Sequence, residues 1–278
     1  MDTSNAVLDD DAGVRQRSAR RDSLLDPSDY ILPLADCSRE IRICSIQPGP
    51  LDSPLEVFLQ AINLEESQGQ YNCLSYAWGP TSNERHIILN GRKHVISRNL
   101  HLHLSRLRTL GLGQRLWVDA LSINQANSRE CSTQVARMGS IFGGARETYL
   151  CVDEASPHFQ LFDEGASDAF LTAVESLAAG CHPSKLTCYA PGNEEVAGRT
   201  VNDILRYLCR ASYWSRCWIV QEIVLSRHAT MFAGFGKIPW RTIVQALRQW
   251  EYHRHRCCFS FVESLPKDIQ KAYYQVST

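Results

Sequence analysis

Short apolar runs with strand character alternate with helix-like segments between residues 40 and 151, and this alternation restricts the fold more than any other feature. The strand candidates are EIRICSI, PLEVFLQAINL, QYNCLSYAWG, the two arms of HIILNGRKHVIS, RLWVDALSI and TYLCVD. Strands that alternate with helices form a parallel or mixed sheet covered by helices. The sequence therefore predicts an α/β fold.

Local signals place the turns and helices around these strands. Asn90 and Gly91 form the preferred two-residue hairpin turn, because both residue types adopt positive φ, so an added β-hairpin is expected. We expect Asn99 to cap a helix with a leucine face that ends before Gly111. A further helix begins at about Ser128. The amphipathic segment RTIVQALRQWEYHRH predicts a helical C-terminal part.

Composition divides the chain into three parts. Residues 1–28 are polar and carry both signs of charge, so they predict a disordered N-terminal tail. Residues 29–250 contain the strand and helix patterns and are expected to form the main domain. Residues 251–278 are expected to form a short C-terminal helical extension.

The net charge, the length of the apolar runs and the cysteine content argue against several classes of partner. The 29 Lys and Arg residues balance 30 Asp and Glu residues, so no global field attracts nucleic acid or an anionic membrane. No apolar run approaches the roughly 18 residues needed to span a bilayer. The 11 cysteines are odd in number and lie mostly in apolar runs, as reduced cysteines of intracellular proteins do. We therefore predict a cytoplasmic protein without nucleic-acid or membrane partners.

Common catalytic and metal-binding motifs do not occur. The chain contains no G-x-x-x-x-G-K-[ST], G-x-G-x-x-G, G-x-S-x-G or H-E-x-x-H motif, which argues against a kinase, a Rossmann dehydrogenase and a classical hydrolase. Two clusters contain metal-binding residue types, CHPSKLTC (Cys181, His182, Cys188) and HRHRCC (His253, His255, Cys257, Cys258). Neither has C-x₂-C spacing, so no metal is expected.

Two groups of residues are candidates for a site. In LWVDALSINQ, Trp117 and Asp119 would share one face of a strand, and Asn124 and Gln125 follow it. Strand ends in α/β sheets are where ligand crevices form. These polar residues would form the rim of a site, or they would satisfy loop backbone groups and cap the next helix.

The second candidate is Glu222, a single carboxylate in the apolar run YWSRCWIVQEIVL. A buried carboxylate requires a cation, solvent or a shifted pKa. Trp218 lies at i−4 and would share its helical face. Arg216, six residues before Glu222, is too far for a helical pair. Spacing alone favours a structural or exposed glutamate over a site residue.

Several of these segments together resemble the fungal heterokaryon incompatibility (HET) domain. The similarity runs through YNCLSYAWG, RLWVDALSINQ and YWSRCWIVQEIVL and covers about residues 30–245. It departs at Ser122, where the family commonly has cysteine. The resemblance implies a module of fungal non-self recognition that triggers programmed cell death when it meets a protein partner or assembles with itself.

The HET domain is in turn similar to TIR domains. This likeness implies a TIR/flavodoxin-like, mostly parallel central sheet flanked by helices. The TIR W-x-x-x-E segment matches Trp218 and Glu222. In TIR domains that cleave NAD this glutamate is catalytic, which makes Glu222, Trp218 and Asp119 the candidate catalytic residues and NAD the candidate substrate. The alternatives to a death module are therefore an NAD glycohydrolase and a regulatory HET-domain protein without a death role.

Overall fold

The computed structural model describes residues 32–50, 52–79, 84–152, 164–189, 204, 208–233, 236–254, 256–257, 263 and 267. The predicted N-terminal tail lies outside these residues, as does most of the predicted C-terminal extension. The strands are β1 (Glu40–Ile46), β2 (Glu56–Asn63), β3 (Asn72–Tyr76), β4 (Glu84–Leu89), β5 (Arg92–Ser97), β6 (Leu116–Trp117), β7 (Glu147–Cys151), β8 (Ala229–Ala233) and β9 (Gly236–Pro239). The helices are α1 (Arg98–Thr109), α2 (Asp119–Ser122), α3 (Ser128–Ala136), α4 (Met138–Gly144), α5 (Glu164–Ala178), α6 (Ile219–Val224) and α7 (Trp240–Arg254).

All nine strands belong to one mixed sheet with the order β5-β4-β2-β1-β6-β3-β7-β8-β9. In its centre β6, β3, β7 and β8 run parallel. Numbered by their order in the chain, these four strands lie in the order 2-1-3-4, which is that of flavodoxin-like doubly wound sheets. Antiparallel pairs such as β1–β2 and β8–β9 lie on either side of this centre. The predicted α/β class is confirmed.

Helices cover both faces of the sheet because side chains alternate along each strand. On β3, Leu74 and Tyr76 point into a cluster that contains the leucine face of α1. Cys73 points to the opposite face and packs with Met138 and Phe142 of α4. On the same side as α4, α5 and α7 pack over β7, β8 and β9. Among the described residues, no helix is long and apolar enough to cross a bilayer.

The predicted hairpin is confirmed and joins β4 to β5. Asn90 and Gly91 have φ values of 47° and 80°, as the tight turn requires. The Asn90 side chain also accepts a hydrogen bond of 2.8 Å from the backbone N–H of Leu59. The turn residue therefore fixes the hairpin to β2.

The prediction that Asn99 caps α1 is wrong. The helix begins at Arg98, two residues earlier than predicted, so Ser97 is the N-cap and its hydroxyl accepts a 3.2 Å hydrogen bond from the backbone N–H of Leu100. Asn99 is buried in the first turn and donates to the carbonyl of Ala77 at 3.1 Å. It connects α1 to the loop after β3.

Two further predictions of segment type are corrected. RLWVDALSI is a strand only at Leu116–Trp117, because the chain turns into α2 at Asp119. The Ser122 hydroxyl accepts a 3.0 Å hydrogen bond from the N–H of Val118 and closes this short helix. The helix expected from Ser128 is divided in two at Arg137, whose backbone is at φ −100° and ψ 0°.

A buried ion pair joins β1 to α3. Arg42 is 1 % exposed, and its guanidinium donates to both carboxylate oxygens of Glu130, at 3.1 Å for the Nη2–Oε2 bond. The same guanidinium donates to the carbonyls of Leu32 at 2.6 Å and Ser122 at 3.0 Å. Burial raises the pKa of Glu130, but the hydrogen bonds from Arg42 and from the Asn124 N–H outweigh it and leave this pKa below its ordinary value.

Candidate functional site

Glu222 is buried and ion-paired. Its residue exposure is 1 %, and it lies in the short helix α6. Both carboxylate oxygens accept hydrogen bonds of 2.9 Å from the guanidinium of Arg216, so the pair is bidentate. Planar arginine forks match carboxylates in this way, and such pairs are among the stronger charge-assisted contacts. Arg216 therefore supplies the cation that a buried Glu222 requires.

Two hydroxyl groups complete the surroundings of Glu222. Ser75, the fourth residue of β3, donates to Oε2 of Glu222. The hydroxyl of Tyr213 lies 2.6 Å from the Ser75 hydroxyl. Both residues are buried, and burial raises the pKa of the Tyr213 phenol. The carboxylate is thus bonded to one guanidinium and one hydroxyl, which a second hydroxyl supports.

The local chain geometry explains why Arg216 reaches Glu222. Arg216 is not in the helix; it follows the 3₁₀ turn Ser212–Ser215 with an extended backbone at φ −77° and ψ 130°. The helix begins only at Ile219. The two residues are not a helical pair, as the spacing indicates, and Arg216 reaches Glu222 from outside the helix, which the sequence does not predict.

A cleft of about 840 Å³ opens in front of this ion pair. Its walls come from the segments after β3 and β6, from α3 and α4, and from residues 212–218. The lining residues are Ala77, Trp78, Gly79, Asp119, Ile123, Gln125, Cys131, Val135, Met138, Ser212, Ser215, Arg216, Cys217 and Trp218. The Arg216 side chain is 19 % exposed, whereas that of Glu222 is 1 % exposed. Arg216 therefore lies between the carboxylate and the cleft.

Asp119 and Trp218 both line this cleft, as the sequence analysis expects of site residues. Asp119 accepts a 2.6 Å hydrogen bond from the indole N–H of Trp78 and a 2.7 Å bond from the N–H of Ala120. Burial raises the pKa of Asp119, although the Trp78 bond and the charge of Arg216 act in the opposite direction. Trp218 is 44 % exposed and lies just before α6.

The other predicted rim residues have different positions. Trp117 does not share a face with Asp119, since β6 ends at Trp117; its ring is fully buried against Phe142, with centroids 5.5 Å apart. Gln125 lines the cleft and donates to the backbone carbonyl of Asp119 at 3.2 Å. Asn124 is buried and its side chain accepts from the N–H of Ala126 at 3.1 Å, which is the loop-satisfying role.

The chemistry of the cleft suits a polar ligand that carries a ring. Trp78 and Trp218 present aromatic groups, while Asp119 and Arg216 present opposite charges. Ligand sites typically combine an apolar wall with a few such polar groups. Ser75 and Tyr213 could not be predicted from the sequence, because no spacing signal connects a strand serine with a carboxylate 147 residues later in the chain.

The fold and the cleft define an α/β domain with a polar crevice at the carboxyl ends of parallel strands, where doubly wound sheets bind ligands. Residues 71–222 match the family model described as Heterokaryon incompatibility protein (HET), and the match covers more than half of the chain. The chain belongs to this family. The matched region extends from Tyr71, the residue before β3, to Glu222. Neither a curated protein nor a solved structure matches significantly.

The predicted family is therefore confirmed, and it supports a role related to heterokaryon incompatibility. The likeness to TIR domains and the catalytic roles of Glu222, Trp218 and Asp119 stay predictions.

Proposed function

We propose that this protein is a cytoplasmic signalling module of fungal non-self recognition, which assembles with a protein partner or with copies of itself and triggers programmed cell death. Family membership supports the connection to heterokaryon incompatibility. The observation that carries the assembly step is an apolar surface on α6, inside the region that matches the family.

This surface is unusually apolar for a short surface helix. Val220 is 63 % exposed and Val224 is 71 % exposed, and they lie one helical turn apart. Trp218 and Leu225 flank them at 44 % and 46 % exposure. Contiguous exposed apolar groups mark interaction sites more often than isolated ones, and tryptophan is enriched among residues that dominate binding energy. We call these four residues the α6 patch.

The buried side of the same helix supports binding rather than chemistry. Glu222 points inward, away from the α6 patch, and Arg216 occupies both of its oxygens. A carboxylate held in this way fixes the position of α6 against β3 through Ser75. The ion pair thus orients the α6 patch toward solvent.

Inducible expression in several strains of a filamentous fungus tests the proposal. Wild-type protein should arrest growth in at least one strain, and the double variant Val220→Ser/Val224→Ser should not. Phe58 and Val95, which are 44 % and 42 % exposed on β2 and β5, provide the matched control. Phe58→Ser/Val95→Ser should kill as the wild type does. Equal killing by the α6 double variant would contradict the role of this surface.

An NAD glycohydrolase is the second candidate, and the cleft is the observation that favours it. Asp119 and Trp218 line the cleft, and Glu222 lies directly behind Arg216. A carboxylate there would stabilise the positive charge that develops on ribose as nicotinamide leaves. This activity requires Arg216 to move off Glu222, because the guanidinium separates the carboxylate from the cleft.

A further inference from the structure

Two metal-binding residue types that are far apart in the sequence meet beside α5 and α7. His182 follows α5 and begins the 3₁₀ turn Pro183–Lys185. His253 lies in the last turn of α7, and Cys257 lies just beyond that helix. Because α5 packs along α7, the two imidazole rings come together edge to face with centroids 4.6 Å apart. Neither sequence cluster alone has the spacing of a metal site, and the ligand set forms only when residues of the two clusters come together.

The three potential ligand atoms converge on one point. The Cys257 Sγ lies 3.3 Å from Nε2 of His182 and 3.1 Å from Nδ1 of His253. All three atoms lie within 4.8 Å of one another. Tetrahedral zinc with ordinary Zn–N and Zn–S bonds holds its ligand atoms about 3.5 Å apart. The two Sγ–nitrogen distances are therefore within about 0.4 Å of those in a zinc site.

The surroundings of the histidines suit metal ligation. Nδ1 of His182 accepts a 3.3 Å hydrogen bond from the backbone N–H of Ser184 and lies 2.7 Å from the Ser184 hydroxyl, and these contacts orient the ring with Nε2 toward Cys257. Cys257 is exposed and forms no disulfide, so the site is accessible from solvent.

We propose that His182, His253 and Cys257 bind a zinc ion through Nε2, Nδ1 and Sγ, with water as the fourth ligand. Two imidazole nitrogens and one thiolate form a ligand set that zinc uses commonly and that magnesium and calcium do not. The thiol loses its proton to solvent when the metal binds. The ion fastens the end of α7 to the segment after α5, independently of the proposed signalling function.

Cobalt substitution of the full-length protein tests the site directly. Metal is first removed with a chelator, and Co²⁺ is then added while the visible and near-ultraviolet absorption is recorded. One equivalent should produce d–d bands and a thiolate-to-cobalt charge-transfer band, and Zn²⁺ should displace the cobalt. Cys257→Ser should abolish the charge-transfer band. His182→Gln and His253→Gln should each weaken binding by about tenfold or more.

Matched controls come from a cysteine and a histidine elsewhere on the surface. Cys37→Ser and His228→Gln, whose side chains lie in other parts of the fold, should bind Co²⁺ as the wild type does. A chelator-treated sample should also melt at a higher temperature after Zn²⁺ is added, and the Cys257→Ser variant should not. This melting comparison is made within each variant, so it does not depend on equal stability. A charge-transfer band that survives in Cys257→Ser, or no stoichiometric binding, would overturn the site.

Discussion

Two buried arginine–glutamate pairs stabilise this protein, and they differ in what lies beside them. In the first, Arg42 and Glu130 are both buried, and backbone carbonyls occupy further positions on the guanidinium. In the second, Glu222 is buried but Arg216 is 19 % exposed and lines the cleft. The side chains of the first pair are 1 % and 9 % exposed at the edge of a smaller cleft, whereas the second pair has its arginine 19 % exposed.

The two pairs differ in how much change the fold permits around them. Separating a fully buried pair leaves a charge without water, which costs several kcal/mol. When the charge of Glu222 is removed, the Arg216 guanidinium can rotate into the cleft and regain water, so the cost is smaller. The first pair therefore belongs to the fold alone. The second connects the core to the cleft and to the α6 patch, so a ligand or partner can influence it.

The largest expected effect comes from the Arg42–Glu130 pair. Glu130→Gln keeps the shape of the side chain but leaves the Arg42 charge unpaired in the core, so the free energy of unfolding should fall by about 3–5 kcal/mol. Urea denaturation measures this loss. The exposed Glu56→Gln on β2 is the control and should change the value by less than about 0.5 kcal/mol. A loss below about 1 kcal/mol for Glu130→Gln would show that water enters the pair.

The corresponding substitution in the Arg216–Glu222 pair, Glu222→Gln, should lower the free energy of unfolding by less. In Glu222→Gln the uncharged amide still accepts from Ser75 or Arg216, and Arg216 can turn to solvent. We expect a loss of about 1–3 kcal/mol in the same urea experiment. A loss equal to that of Glu130→Gln would mean that the second pair is as buried as the first, and the contrast between them would be wrong.

Acid should weaken the Arg42–Glu130 pair in a defined pH range. The folded-state pKa of Glu130 lies below its ordinary value of 4.5, so the unfolded chain takes up a proton first as the pH falls. The stability from this pair is complete above that ordinary value and is lost as the pH falls through the folded-state pKa. Urea midpoints measured across this range should therefore fall less steeply for Glu130→Gln than for the wild type.

Asp119 provides a control, because its pKa shift is opposite in direction to that of Glu130. Its folded-state pKa is raised, mainly by burial, so the folded protein binds a proton before the unfolded chain does. This carboxyl offsets part of the acid loss, and Asp119→Asn should make the fall in the urea midpoint steeper. A shallower fall in Asp119→Asn would contradict the raised folded-state pKa of this carboxyl.

The smallest effect on stability should come from the α6 patch. Val220 and Val224 are mostly exposed, so Val220→Ser and Val224→Ser should each change the free energy of unfolding by less than about 0.5 kcal/mol. The measurement is the same urea titration, with far-ultraviolet circular dichroism to verify the helices. A loss above about 1 kcal/mol would mean that these side chains pack within the folded chain and are not a free surface.

Much of the fold follows from local sequence signals. The hairpin at Asn90 and Gly91 was predictable because few residue types adopt the positive φ of that turn. The end of β6 was not, since LWVDALSI is mostly apolar and its pattern does not show that a helix begins at Asp119. Asn99 and Ser97 are both good capping residues, and only the start of α1 decides between them.

The site was predictable in its residues but not in its contacts. A glutamate in an apolar run requires a partner, and the family resemblance pointed to Glu222. The partner Arg216 was missed because a 3₁₀ turn and an extended residue bring it back onto the helix. Ser75 was missed because its contact with Glu222 depends on how α6 packs on β3. The meeting of His182 with Cys257 likewise depends on how α5 packs on α7.

Release of nicotinamide from NAD by the purified protein, at a concentration high enough for assembly, tests most directly whether Glu222 serves the fold or a reaction. Wild type and Glu222→Gln are compared, with thermal melts of both. Because Arg216 occupies both carboxylate oxygens, we predict no release by either protein and a lower melting temperature for the variant. Release by the wild type that disappears in Glu222→Gln, with unchanged melting, would contradict this and make Glu222 catalytic.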